Sequence, residues 1–459
     1  VATTIANTGN VAGQTDPRMI PKFDSSGNVI TATASAQATG STTTRIEAVS
    51  IEKSNTATPE GEMLRGVHDH RSTYSLAVKN NGVAPTANVV VVDLLPAGLE
   101  FLGCGNADNT QPPSSVEYPG APRLGNPVQN PGPNCITPFS VDTVTNPAPS
   151  LGKTFPPGVY TRVEWHLTNL AAGATTTIDY VAGIPLRANT DTWTPSRPSA
   201  TSGLQASNLN NNNGPSTRET TTEQSLTNHA QVTGSYTGPT ADGNPSTGAT
   251  AELTVTSEDV RMHKGVSPAE FAQGGIATFT MTVDTSEYTS AHGIVVSDVL
   301  PDGYCPLAPG HNYAPGSPSE CNFSAGTMTA PSPSFDTVTY DGSNGEYNIT
   351  FNPFDLNHND TRVVTFQARM RADYTGSPSL PPTVGGDSFT DQASLTGTST
   401  PVAGTGESGD QTVYDDSTAT QTAPGPSIDK TMKPRTTPMD CSAGAAPAYD
   451  QSTGFTPAQ

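Results

Sequence analysis

The sequence is poor in basic and in aromatic residues. Its 459 residues include 21 Lys and Arg against 42 Asp and Glu, a formal charge of −21. A field of that sign repels nucleic acid, whose phosphates need compensating cations, and it repels anionic membrane surfaces. Aromatics make up 6% of the chain, with two Trp, and most fall in expected strands, so a flat aromatic platform for glycan is not indicated. No apolar run is long enough to cross a bilayer as a helix. No Ser/His/Asp set, phosphate-binding glycine loop or carboxylate pair in a predicted cleft stands out, so nothing indicates a turnover enzyme.

Hydrophobic residues are 33% of the chain, while Gly (43) and Pro (42) are plentiful. That mixture suits disorder unless its apolar residues are patterned. They are. The phrase VVVVDLLPAG at 89–98 returns as IVVSDVLPDG at 294–303. Upstream, Tyr74, Leu76 and Val78 match Phe279, Met281 and Val283, each run starting nineteen positions before its Asp. Downstream, Val163, Trp165, Leu170, Ile178, Tyr180 and Ile184 match Ile349, Phe351, Leu356, Val364, Phe366 and Met370 at a constant offset of 186. The chain contains two copies of one unit whose apolar residues alternate with period two.

The expected fold is all-β: tandem immunoglobulin-like β-sandwich domains with long loop insertions and no helix. Residues 1–45 read as the C-terminal part of a preceding repeat, 46–257 as a first full repeat, 258–423 as a second, and 424–459 as the N-terminal part of a following one. In the first fragment, Ala36 to Gly40 aligns with Ala230 to Gly234 as a closing strand. Two polar insertions, 105–158 and 190–222, are expected on the surface of the first repeat. Each full repeat has one pair of cysteines, Cys104 with Cys135 and Cys305 with Cys321, which reads as one disulfide per domain and an oxidising compartment.

Period two also places polar residues among the apolar ones. Lys53 shares a face with Val49 and Ile51, Lys264 with Val260 and Met262, and Lys430 with Ile428 and Met432. Asp93 and Asp298 fall on the inward face of the central strands, and Asn228 and Asp391 on that of the closing strands. A buried, unpaired charge costs several kcal/mol, which leaves two outcomes. One is a hydrogen-bonded ion pair. The other is an autocatalytic isopeptide bond: burial lowers the Lys pKa and raises that of Asp, neutral Lys53 attacks the Asn228 carboxamide, Asp93 shuttles protons, and ammonia leaves. In the second repeat Lys264 would attack Asp391 beside Asp298, and water would leave.

The segments SIEKS (50–54), YSLAVKNNG (74–82), VVVVDLLPAGLEF (89–101) and LTNHAQVTG (226–234), with their second versions, resemble a family of bacterial conserved-repeat surface domains. That family is known as domain of unknown function eleven, and the fimbrial isopeptide-forming domains are related to it. The resemblance implies tandem sandwiches in long secreted proteins that form stalks, fibres or adhesins. Carried onto this sequence, it implies the triad Lys53, Asp93 and Asn228. Asp391 departs from the pattern, and Ala34, six before Gly40, would leave the preceding repeat without an acceptor.

The expected role is therefore a structural segment of an extracellular bacterial surface protein, whose partners are neighbouring repeats, other copies in a fibre or a host ligand. The alternatives are a filament subunit joined by strand complementation and a glycan-binding module of a secreted enzyme. No cofactor is expected. Calcium is left open without a placed site, on the Asn210 to Asn213 run or an acidic loop at Asp415 and Asp416, and His68-Asp69-His70 reads as a solvated loop rather than a metal site.

Overall fold

The computed structural model describes residues 3–14, 22–23, 25–26, 29–30, 35–46, 48–57, 60–67, 69–96, 98–103, 134–184, 224–238, 246–270, 272–313, 329–376, 382–403 and 409–424. Every regular element among them is a strand. An N-terminal hairpin pairs β1 (Thr3–Gln14) with β4 (Ser35–Ile46), with the short pair β2 (Lys22–Phe23) and β3 (Val29–Ile30) between them in sequence.

The first copy comprises β5 (Val49–Asn55), β6 (Glu62–Leu64), β7 (Ser72–Asn80), β8 (Thr86–Pro96), β9 (Glu100–Phe101), β10 (Ser140–Thr145), β11 (Val159–Leu170), β12 (Thr175–Gly183), β13 (Gln224–Tyr236) and β14 (Ser246–Glu258). They form a four-stranded sheet, β5-β7-β12-β9, and a six-stranded sheet, β10-β11-β8-β13-β14-β6. Pairing is antiparallel throughout except that β6 runs parallel to β14 along its outer edge.

The second copy comprises β15 (Val260–Ser267), β16 (Ile276–Thr285), β17 (Thr289–Leu300), β18 (Tyr304–Leu307), β19 (Phe335–Asp341), β20 (Glu346–Phe351), β21 (Phe354–Leu356), β22 (Thr361–Met370), β23 (Ser388–Pro401) and β24 (Gln411–Thr422). Its sheets, β15-β16-β22-β18 and β19-β20-β17-β23-β24, repeat the same order, with β20 and β21 together pairing β17 as β11 pairs β8. The chain is thus all-β and built as immunoglobulin-like sandwiches.

Alternation produces the layers. In β7 and β16 every second residue is buried, and the inward sets of both sheets merge into one apolar core per copy, around Trp165, Tyr74 and Tyr180 in the first and Phe279, Phe351 and Phe366 in the second. The duplicated phrase ends in glycine because the turn after it takes a left-handed backbone, with φ of 96° at Gly98 and 98° at Gly303.

Three expectations are corrected. The insertion 105–158 is not all surface loop: Ser140–Thr145 adds β10 to the six-stranded sheet, and the Ile136 carbonyl accepts the indole N–H of buried Trp165 at 2.9 Å. Asp415 and Asp416 lie within β24, not in a loop, and both are buried. Asp69 and His70 lie in a bend between strands, with Asp69 exposed, and their backbone N–H groups donate to the carboxylate of Glu287 from the second copy.

The third concerns the N-terminal hairpin. The stretch from Ala36 to Gly40 lies in β4, which leads into β5 as β14 leads into β15, so β4 corresponds to β14 and its partner β1 corresponds to the closing strand β13. The ladders agree: Asn7 opposes Thr42 as Asn228 opposes Leu253, with Thr42 and Leu253 separated by the same 211 positions as Lys53 and Lys264. Asn7, not Ala34, therefore holds the register position of Asn228. The insertion 190–222, with Asn210 to Asn213, lies outside the described residues, as do His68, Cys104, Cys321, Lys430 and Cys441.

Candidate functional site: a buried polar network in each sandwich

In the first copy the opening strand β5 sends Lys53 inward from the four-stranded sheet. Its ammonium lies 2.5 Å from Asp93 Oδ1 of β8 in the opposite sheet, and both side chains are fully buried. Tyr180 of β12 donates its hydroxyl proton to Asp93 Oδ2 at 2.5 Å. The same hydroxyl accepts from Asn228 Nδ2 of β13 at 2.7 Å. The chain Lys53–Asp93–Tyr180–Asn228 therefore joins the opening, central and closing strands across the core. Asn228 Oδ1 is buried without a hydrogen-bond partner among the described residues.

Packing fixes this chain. The Tyr180 ring stacks on Tyr74 at 5.4 Å and 8°, with Phe101 and Trp165 against its other sides, and the Lys53 ammonium lies 5.6 Å from the centre of the Tyr74 ring. Burial lowers the Lys53 pKa from 10.5 to about 8, against the opposing pull of the Asp93 carboxylate. A substantial neutral fraction is therefore available at mildly alkaline pH. Burial pushes the Tyr180 hydroxyl well above its ordinary value, so it stays protonated.

The second copy reproduces the arrangement with different chemistry. Lys264 contacts both Asp298 of β17 and Asp391 of β23, the latter at 2.7 Å, and all three side chains are buried. Phe366 stands where the first copy has Tyr180 and stacks on Phe279 at 5.1 Å, so the ring is kept and the hydroxyl is lost. Burial, and then the neighbouring Asp298 charge, raises the Asp391 pKa well above its ordinary 3.8, so this acceptor takes a proton readily.

All six residues read from sequence, Lys53, Asp93, Asn228, Lys264, Asp298 and Asp391, are thus buried in two clusters. Tyr180 is a member that sequence reasoning assigned only to the apolar face. Asn7 was missed as well, although Ile5-Ala-Asn7 with Val11-Ala-Gly13 repeats the spacing of Leu226-Thr-Asn228 with Val232-Thr-Gly234. Cys135 and Cys305 are disulfide-bonded, while Cys104 and Cys321, their expected partners, lie outside the described residues. No group of metal-ligating side chains able to hold an ion is found among the described residues, and no helix among them is long and apolar enough to cross a membrane.

A third polar cluster joins the two copies. Arg65 donates to Asp259 at 2.8 Å, with both side chains buried, and its guanidinium lies over the Tyr288 ring. The Glu287 carboxylate receives the backbone N–H groups of Val67, Asp69 and His70. Gly66 suits this contact, because a Cβ at that position would sit 2.5 Å from Glu287 Oε1 and would push the glutamate side chain aside.

No family model matches the chain, and no curated protein does. Solved structures with local likeness include red sea bream transglutaminase (7% identity, TM-score 0.25, covering 83% of this chain and 32% of that one). The full-length major pilin SpaD from Corynebacterium diphtheriae is another (10%, 0.21, 72% and 58%), as is a GH20 exo β-N-acetylglucosaminidase from Vibrio harveyi (12%, 0.19, 39% and 20%). The chain spans less than two thirds of the length of each. At these scores the likenesses carry no functional argument, and the site must be read from its own chemistry.

Proposed function

We propose that the chain is a structural segment of a long secreted bacterial surface protein, a stalk, fibre or adhesin, whose sandwiches are locked covalently. The observation that carries this reading is that both cores bring a lysine of the opening strand, an acid of the central strand and an amide or acid of the closing strand into one dry cluster. Removing one partner of such a buried pair costs about 3–5 kcal/mol, so the cluster constrains the sequence strongly. Plain apolar residues would fill the space at no such risk, which makes a chemical role for the polar set the economical explanation. In this reading Lys53 joins Asn228 with Asp93 as proton carrier, and Lys264 joins Asp391 with Asp298 in that role. Each bond ties the first strand of a sandwich to its last long hairpin. The chemistry happens once per molecule, so the protein is not a turnover enzyme. In the same reading Cys104 pairs with Cys135 and Cys305 with Cys321, a second closure for each domain that suits an oxidising, extracellular setting.

The test is the intact mass of the folded chain, before and after reduction, followed by peptide mapping. Loss of one ammonia with Lys53 and Asn228 peptides linked, and of one water with Lys264 and Asp391 linked, is the expected result. A mass lacking only the disulfide hydrogens would reduce both clusters to ion pairs and end the covalent reading.

A further inference from the structure

We propose that Tyr180 is a catalytic residue of the first sandwich, whose hydroxyl hands the departing Asn228 nitrogen the proton that makes it ammonia. The inference rests on the cross-linking reading above and adds a residue and a proton route to it.

The geometry has one feature that an acid and a lysine alone do not explain. Asp93 touches the attacking nitrogen through Oδ1, but the contact to the leaving nitrogen is made by Tyr180. The hydroxyl is tied to Asp93 Oδ2 on one side and to Nδ2 on the other, at 2.5 and 2.7 Å, so the path from Nζ to Nδ2 is continuous without water. The ring has no freedom to leave this position, being stacked on Tyr74 and buried to 1% exposure. Its raised pKa keeps a proton on the oxygen until a strongly basic partner appears. The tetrahedral intermediate supplies that partner, because Nδ2 ceases to be an amide nitrogen once Nζ has added to Cγ.

The balance closes. Neutral Lys53 Nζ forms a bond to Asn228 Cγ, and one Nζ proton passes to Asp93. Tyr180 gives its proton to Nδ2 and is reprotonated from Asp93. The Cγ–Nδ2 bond then breaks, ammonia leaves, and Asp93 and Tyr180 return to their starting states.

The second sandwich provides an internal comparison. There the acceptor is an acid that contacts Lys264 directly at 2.7 Å and brings its own proton, and the hydroxyl is missing because Phe366 replaces tyrosine. The hydroxyl accompanies the amide acceptor and is absent beside the acid one.

The experiment follows ammonia loss by intact mass from the moment of cell-free synthesis, in the full chain and in Tyr180→Phe. General acid catalysis of this kind is worth about 100-fold or more, so Tyr180→Phe should cross-link at least about 100-fold more slowly. Phenylalanine is the resident at the matching site of the second sandwich, so the variant is expected to fold. A second comparison guards against loss of fold: Asp391→Asn alone against Asp391→Asn with Phe366→Tyr, where the added hydroxyl should accelerate ammonia loss from the second sandwich. Equal rates for the unsubstituted chain and Tyr180→Phe, or no gain from Phe366→Tyr, overturn this inference while leaving the cross-link standing. An unsubstituted chain that never loses ammonia overturns the cross-linking reading instead.

Discussion

Lys264 Nζ stands 2.7 Å from Asp391 Oδ2 while also touching Asp298, so the second core sets two carboxyl groups against one ammonium. Such a site is comfortable only with a proton on one acid. The folded Asp391 pKa lies above its ordinary 3.8, so the folded chain holds a proton that the unfolded chain releases. The stabilising contribution is complete below the unfolded pKa and is lost as pH rises through the folded one. Urea unfolding of Lys264→Met, which leaves Asp391 unreacted beside Asp298, should therefore show the second sandwich gaining stability as pH falls toward the ordinary carboxyl value of 3.8, relative to Lys264→Met with Asp391→Asn. A pH dependence identical in the two variants would contradict the assignment.

Lys53 carries the opposite sign. Its folded pKa of about 8 lies below the ordinary 10.5, so burying it disfavours the charged form, and the penalty is relieved as pH rises through that interval. In Asn228→Ala, which leaves the lysine unreacted, carbon-13 NMR of the lysine side chains should show one resonance titrating near 8. All lysines titrating together near 10.5 would refute the burial of this ammonium.

Asp93→Ala should be the most damaging single change in the first sandwich. It removes the anion from Lys53 and the acceptor from Tyr180 together, and it should cost about 3–5 kcal/mol in denaturant unfolding as well as abolish the cross-link. Lys53→Met with Asp93→Leu should recover part of that loss, since an apolar replacement of a buried pair is often tolerated.

Arg65→Ala should uncouple the two sandwiches. It leaves Asp259 buried without its 2.8 Å partner at the link between β14 and β15. Calorimetry should resolve two transitions where the parent chain shows closer coupling, and amide exchange at Val67, Asp69 and His70 should accelerate. Unchanged exchange at those amides would show that Glu287 holds them without help from the Arg65 pair.

Reduction should lower the stability of each sandwich by about 3 kcal/mol in the chain-entropy view of disulfides. Non-reducing peptide maps should show Cys104 with Cys135 and Cys305 with Cys321. Any cross-pairing between the copies would overturn the one-disulfide-per-domain arrangement.

The triads were legible because strand periodicity is a backbone property. Lys53, Asp93 and Asn228 each sit two residues from apolar neighbours, and a strand cannot turn one of them outward alone. Tyr180 escaped because tyrosine fits the apolar alternation without comment, and periodicity says nothing about where a hydroxyl finds its partner. The N-terminal hairpin misled for a related reason. Ala36-Gln37-Ala38-Thr39-Gly40 differs from Ala230-Gln231-Val232-Thr233-Gly234 at one position, yet small and polar residues are common in both strands of such a hairpin. Only the ladder register separates β1 from β4. The junction was hidden because its bonds connect residues about 200 positions apart, 194 for Arg65 with Asp259 and 220 for Val67 with Glu287.

The short strand β6 has a consequence for neighbours rather than for the sandwich itself. By pairing parallel to β14 it occupies the outermost ladder of the six-stranded sheet near the junction, and all three of its residues are buried. A foreign strand arriving there would have to evict Glu62, Met63 and Leu64 before it could form its first hydrogen bond. Among the described residues, the matching edge of the second sandwich carries one bridge, Glu270 to Thr422. Lateral recruitment of another chain is thus obstructed at β14 by a three-residue ladder, while at β24 the described residues oppose it with one bridge and with Glu60 of the first copy, which receives the Ser417 hydroxyl.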